Sequence, residues 1–157
     1  SEYNFFPSNP LGALLEAEVL GIYGREGVRL AAYWTTPWNG STKLSPYWAF
    51  RMYRNYDGAS GTFGDISLSA ATTTAGLSVF AAKRSTDGAI TVMLVNQDTE
   101  SKTLAVDLRD SAATVLTNYS YVVNAADISH GPDISKAGST FTVAVPAQAI
   151  ELLVTQP

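Results

Sequence analysis

The sequence predicts a mainly β protein: an antiparallel β-sandwich preceded by a segment of two helices and one strand. Three observations carry this. Apolar residues alternate at Ile90/Val92/Leu94, Leu104/Val106/Leu108 and Phe141/Val143/Val145, the period of half-buried strands. Asp87-Gly88, between the runs 77–83 and 89–95, has the composition of a tight hairpin turn. The composition also breaks near residue 61: of 17 aromatic residues, 13 lie in 1–63, including all three tryptophans. The remainder is rich in Ala, Ser, Thr and Val. Two units follow, 1–62 and 63–157, joined at Asp57-Gly58-Ala59-Ser60-Gly61.

Taken in order, Asn9-Pro10 suits a helix start, since Asn caps well and Pro is tolerated in the first turn. Leu11, Leu15, Val19 and Ile22 would form its apolar stripe, with Glu16 and Arg25 off it. Gly24 and Gly27 supply the stop. Residues 28–34 read as a largely apolar strand covered on both faces, as in parallel sheets. Ser45-Pro46 opens a second helix that Gly58 ends, with Tyr47, Phe50 and Tyr53 packing into the core. This is the βα repeat of a parallel α/β fold. Beyond it, further strands fall at 65–70, 114–123 and 148–154, and a run of short strands without helical period indicates a sandwich.

The chain has 157 residues, enough for one ordinary domain or a domain plus a fragment. Hydrophobic content of 46% and charged content of 15% describe a folded globular chain. The net charge of −4 argues against nucleic acid or anionic membrane as partner, because both call for a basic patch. No apolar run reaches the length of a membrane span. The absence of cysteine excludes disulfides and thiolate metal sites. His130 is the one histidine, in a turn, and cannot build a zinc site; Asp98, Asp127 and Asp133 lack the spacing of a calcium loop. No metal and no cofactor are therefore expected. Arg51 and Arg54 should pair with acidic groups of the sandwich. Opening on Ser1 without Met, the chain reads as a processed or excised piece.

Ser1-Glu2-Tyr3-Asn4, Ala32-Tyr33-Trp34, the run 49–58 ending Asn55-Tyr56-Asp57-Gly58, and the run 79–85 carry a family likeness. Together they resemble the C-terminal portion of glycoside hydrolase family 44, bacterial enzymes that cut β-1,4-glucans and xyloglucan. The resemblance implies that the first unit is a remnant of a (β/α)8 barrel and the second the family's β-sandwich. It implies that Glu2 is the nucleophile of a retaining mechanism, that Trp34 floors the reactive subsite, and that the enzyme is secreted. Tyr3, Phe5, Tyr33, Trp34 and Trp38 would then contact substrate, since pyranose faces present C–H groups to aromatic rings.

A retaining glycosidase needs a second carboxyl about 5–5.5 Å from the first. The family draws it from an Asn-Glu-Pro segment that does not occur here. Glu16, Glu18, Glu26, Glu100 and Glu151 fall on helices, a hairpin loop and the last strand. The isolated chain is accordingly expected to be inactive. Its expected partners are a β-glucan polysaccharide and either the N-terminal remainder of the barrel or a second copy of itself. A different reading stays open: a non-catalytic carbohydrate-binding or structural β-sandwich, since a tripeptide such as Glu2-Tyr3-Asn4 recurs by chance.

Overall fold

The structure, a computed structural model, describes residues 2–4, 7–109 and 111–156. In chain order the elements are β1 (Glu2–Tyr3), α1 (Gly12–Arg25), β2 (Ala32–Tyr33), β3 (Trp38–Asn39), β4 (Thr42–Lys43) and α2 (Ser45–Arg54). Then come β5 (Ile66–Leu68), β6 (Leu77–Lys83), β7 (Ile90–Asn96), β8 (Lys102–Asp107) and β9 (Val115–Val122). The last four are β10 (Ser129–His130), β11 (Ile134–Ser135), β12 (Thr140–Val145) and β13 (Ala149–Thr155).

The layers stack as helices, large sheet, small sheet. The large antiparallel sheet runs β10-β9-β13-β7-β6-β5, with β11 also on β9; β8 and β12 pair separately. One face of the large sheet packs under the helices. Ile150, Leu152, Val154, Met93, Val95 and Phe80 meet Ala13, Leu14, Ala17, Trp48, Ala49 and Met52 there. The other face packs on the β8–β12 pair, through Val92, Leu94, Leu116 and Leu153 against Phe141, Val143 and Val145. Covered on both sides, β13 is buried at every position. The helical core thus draws side chains from both sides of residue 62.

The β6–β7 hairpin forms as expected, with Lys83 opposite Ile90 and Gly88 at φ 78° in its turn. The chain also departs from expectation in four places. Helix α1 buries Gly12, Ala13, Leu14, Glu16, Ala17 and Gly21, while Leu11 is exposed. The buried face is thus the small-residue side rather than the Leu11/Leu15/Val19/Ile22 stripe. The reason is closeness: at Gly21 an added Cβ would lie 2.3 Å from the Phe80 ring, so only small side chains fit that approach. Asn9 does bind the first turn, but through a turn ahead of the helix, its Oδ1 accepting from Leu11 N.

Residues 28–34 yield only the two-residue β2, and Val28 and Leu30 are exposed. Among the described residues β1 is its one strand partner, so no second neighbour extends the pairing. Helix α2 ends at Arg54, short of Gly58, because Asn55 leaves helical geometry at φ −166°. Asp57 Oδ1 then accepts from Ala59 N and Gly61 N, closing a tight turn. Finally His130, expected in a loop, pairs in β10 and is exposed.

The joint between helices and sandwich is polar as well as apolar. Arg51 pairs with Asp127 at 2.6 Å. Glu18 accepts from Ser78 Oγ at 2.7 Å and also from Gln97 Nε2. Trp48 stacks on Tyr121 with centroids 5.2 Å apart and planes inclined by 17°.

Candidate active site

Strands β1 and β2 run parallel, with Glu2 opposite Ala32 and Tyr3 opposite Tyr33. Trp34 N donates to Tyr3 O at 2.6 Å, extending the ladder by one residue. Successive side chains of a strand point to opposite faces. Tyr3 points to the helices: its phenol donates to Glu16 Oε1 of α1 at 2.6 Å, and its ring meets Tyr23 edge-on at 5.4 Å. Tyr33 lies on the same side, 5.3 Å from Tyr3 and 5.4 Å from Phe50 of α2. By alternation Glu2, Ala32 and Trp34 occupy the face turned away from the helices. Glu2 is exposed there, and Trp34 is 57% exposed.

Trp38 is 48% exposed. It sits on the β3–β4 hairpin, opposite Lys43, with Gly40 at φ 58° in the turn. Thr36 Oγ1 donates to Trp38 O, and Leu44 N donates to Pro37 O. These bonds give the segment 35–44 a fixed shape where only a loop was expected. Lys43 Nζ lies 4.9 Å from the Trp48 ring and 5.1 Å from that of Tyr47, tying the hairpin to α2.

Of the predicted site residues, Glu2, Tyr3, Tyr33 and Trp34 are therefore brought together on two adjacent strands. Tyr3 and Tyr33 have their phenols engaged, the latter donating to Asn4 Oδ1 at 3.2 Å. Phe5 lies outside the described residues. The remaining glutamates sit elsewhere. Glu16 is behind β1, Glu18 is on the sandwich side of α1, and Glu26 pairs with Arg25 at 2.9 Å. Glu151 is in the middle of β13. Among the described residues no three of His, Cys, Asp and Glu cluster to hold a metal, and no helix is long and apolar enough to cross a membrane.

Two groups behind the site escaped sequence reasoning. Glu16 has no exposed surface; burial pushes its carboxyl up to about 7, and the Tyr3 hydrogen bond offsets part of the rise. Desolvation and Glu16 together raise the Tyr3 phenol. Trp48 is buried at the joint. A signal for Glu16 existed: it lies next to the small residues Ala13, Ala17 and Gly21, whose spacing of four marks a close-packed face.

No family model matches the chain. Endoglucanase A of Paenibacillus lautus is 43% identical over 61 residues, 39% of this chain and 8% of that protein. The crystal structure of CelM2, a bifunctional glucanase-xylanase from a metagenome library, superposes over 99% of this chain at TM-score 0.91 and 38% identity. A Paenibacillus polymyxa xyloglucanase of glycoside hydrolase family 44, solved with xyloglucan, covers the whole chain at TM-score 0.85 and 26% identity. This chain spans 30% and 32% of those two solved chains. By sequence and by fold, the chain matches part of the endoglucanases and xyloglucanases of glycoside hydrolase family 44.

Proposed function

We propose that the chain is the C-terminal segment of a retaining endo-β-1,4-glucanase or xyloglucanase acting on plant cell-wall polysaccharide. Glu2 is its nucleophile, Trp34 is a sugar platform beside it, and Trp38, on the β3–β4 hairpin, is a second platform. The observation that supports this best is the parallel β1–β2 pair, which puts Glu2 and Trp34 on one open face and the tyrosines on the other. Strand ends of a parallel barrel carry catalytic groups in this way, on a rigid backbone with helices behind. Tyr3 and Tyr33, expected to touch sugar, turn toward the helices instead, and there their rings brace the strands that bear Glu2 and Trp34.

The double displacement needs a second carboxyl to protonate the leaving oxygen and then to activate water. We assign that group to the N-terminal part of the barrel, outside this chain, so the chain alone should not hydrolyse a glycosidic bond. The enzyme of which it is part is taken to be secreted, with β-glucan as its substrate.

The test is reconstitution. The chain is mixed with the N-terminal barrel portion of a family 44 enzyme, and hydrolysis of xyloglucan and carboxymethylcellulose is measured. Activity should appear in the mixture and in neither piece alone, and Glu2→Gln should lower kcat by at least about a thousandfold. Full activity with Glu2→Gln would refute the assignment. A second reading, in which residues 63–157 serve only as a support, is favoured for the sandwich itself by the Trp48–Tyr121 stack and the Arg51–Asp127 pair. In that reading the sandwich props α1 and α2 and does not touch sugar.

A further inference from the structure

Helix α1 buries a carboxyl directly behind the strand that carries Glu2. Glu16 is fully shielded, its Oε1 accepts the Tyr3 phenol at 2.6 Å, and its Oε2 has no hydrogen-bond partner among the described residues. An unpartnered buried oxygen costs about 1–3 kcal/mol, so packing alone would favour leucine at this position. What the carboxyl does supply is an anchor. Tyr3 is held at both ends, its carbonyl by Trp34 N of the β2 segment and its phenol by α1. Its ring is wedged edge-on between Tyr23 and Tyr33. In a two-residue strand, fixing one side chain fixes the direction of the next.

We infer that Glu16 is a positioning residue of the glycosidase site: from the far side of β1 it clamps Tyr3, and through Tyr3 it sets the direction of the Glu2 carboxylate. This rests on the reading of Glu2 as nucleophile given above. Glu16 touches no reacting atom. Its effect is on geometry, and displacement of a nucleophile by about 1 Å is enough to cost on the order of a hundredfold in rate.

Two measurements test it. The first uses the 157-residue chain alone and follows the Glu2 and Glu16 carboxyl resonances by carbon NMR. Glu16→Leu keeps the volume and removes the acceptor; Tyr3→Phe removes the donor; Glu16→Gln keeps an acceptor oxygen. The first two should each shift and broaden the Glu2 resonance, and Glu16→Gln should leave it near its original place. Tyr3→Phe should also raise the Glu16 midpoint, since the phenol's hydrogen bond lowers it. An unmoved Glu2 resonance in both Glu16→Leu and Tyr3→Phe overturns the inference, whether or not activity can be reconstituted.

The second uses the reconstituted enzyme. Glu16→Leu and Tyr3→Phe should each lower kcat about tenfold with KM within about twofold, the double variant should be no worse than either, and Glu16→Gln should recover most of the rate. Equal losses in the two parameters, in step with lost thermal stability, would mark Glu16 as merely structural and overturn the inference. If Glu2→Gln is inactive while Glu16→Leu and Tyr3→Phe are unimpaired, the positioning role fails and the nucleophile stands. If Glu2→Gln is active, both fail.

Discussion

At the residue scale, the contact between Gly21 and Phe80 sets how closely α1 can lie on the sheet. An added methyl at Gly21 would sit 2.3–2.6 Å from three ring carbons of Phe80, inside any real contact distance. Replacing glycine by alanine in a helix ordinarily gains about 1 kcal/mol, but overpacking a filled core costs about 1–3 kcal/mol. The clash should win. Gly21→Ala is expected to lower the urea midpoint by an amount equivalent to about 1–2 kcal/mol, and Phe80→Leu in the same chain should restore part of it. An unchanged or raised midpoint for Gly21→Ala would mean that the ring moves freely, contrary to its 6% exposure. The same closeness explains why Glu16 could not be placed from its side-chain type. Its hydropathy puts it outside, whereas its position beside Ala13 and Ala17 puts it inside.

At the element scale, the two helices are coupled at their starts. Ser45 Oγ, in the first turn of α2, accepts from Ala13 N at 2.8 Å and donates to Pro10 O at 2.5 Å. It thus serves an orphan N–H of α1 from another element, a capping duty that Leu11, preceding that helix, cannot perform. Ser45→Ala should cost about 1 kcal/mol, read as a fall in thermal midpoint together with faster amide exchange in the first turn of α1. Faster exchange confined to α2 would contradict the coupling. Elements of this chain differ in how plainly the sequence announces them, and the reason is length. Strands β6, β7 and β13 declare themselves because their six or more residues of pattern outweigh chance, and Asp87-Gly88 sets the hairpin register. The two-residue ladders β3, β4, β10 and β11 have no pattern to show. Pairing over so short a span is decided by neighbours far along the chain. For the site, Glu2 and Trp34 were visible as residue types. That Tyr3 and Tyr33 turn inward depends on the β1–β2 register, which no local pattern encodes.

For the whole molecule, two interior carboxyls govern the response to pH. Glu151 faces Ser120 across the β9–β13 ladder, is 2% exposed, and its Oε2 has no hydrogen-bond partner among the described residues; burial pushes it up to about 7, as it does Glu16, with hydrogen bonds from Ser120 and Asn118 offsetting part of the rise. Both are raised from the usual 4.5, so the folded chain holds these protons more tightly than the unfolded one. Their contribution to stability is complete below 4.5 and is lost as pH rises through about 7. The exposed Asp65, Asp87 and Asp107 and the half-buried Asp98 are lowered by hydrogen bonds, from Ser85, Arg84, Ser139 and Lys102 respectively, and act in the opposite sense. Their stabilisation is present above 3.8 and lost as pH falls through their lower folded values. The thermal midpoint should therefore peak at about pH 4–5 and decline toward neutrality, with a slope of up to roughly 1.4 kcal/mol per pH unit per interior carboxyl. Glu151→Gln should remove about half of that decline. A midpoint that rises from pH 5 to 7 would show that both carboxyls ionise freely in the fold.

The placement of β13 has a consequence for the order of assembly. The central strand of the large sheet is the latest in sequence, hydrogen-bonded to β7 on one side and β9 on the other, with α1 and α2 resting on one face and β12 on the other. A nascent chain halted before Ala149 would hold helices without a floor and two sheet halves without a seam. Cooperative structure must then wait for β13 to join, and until it does the hydrophobic strands made earlier lack the strand that seams them together.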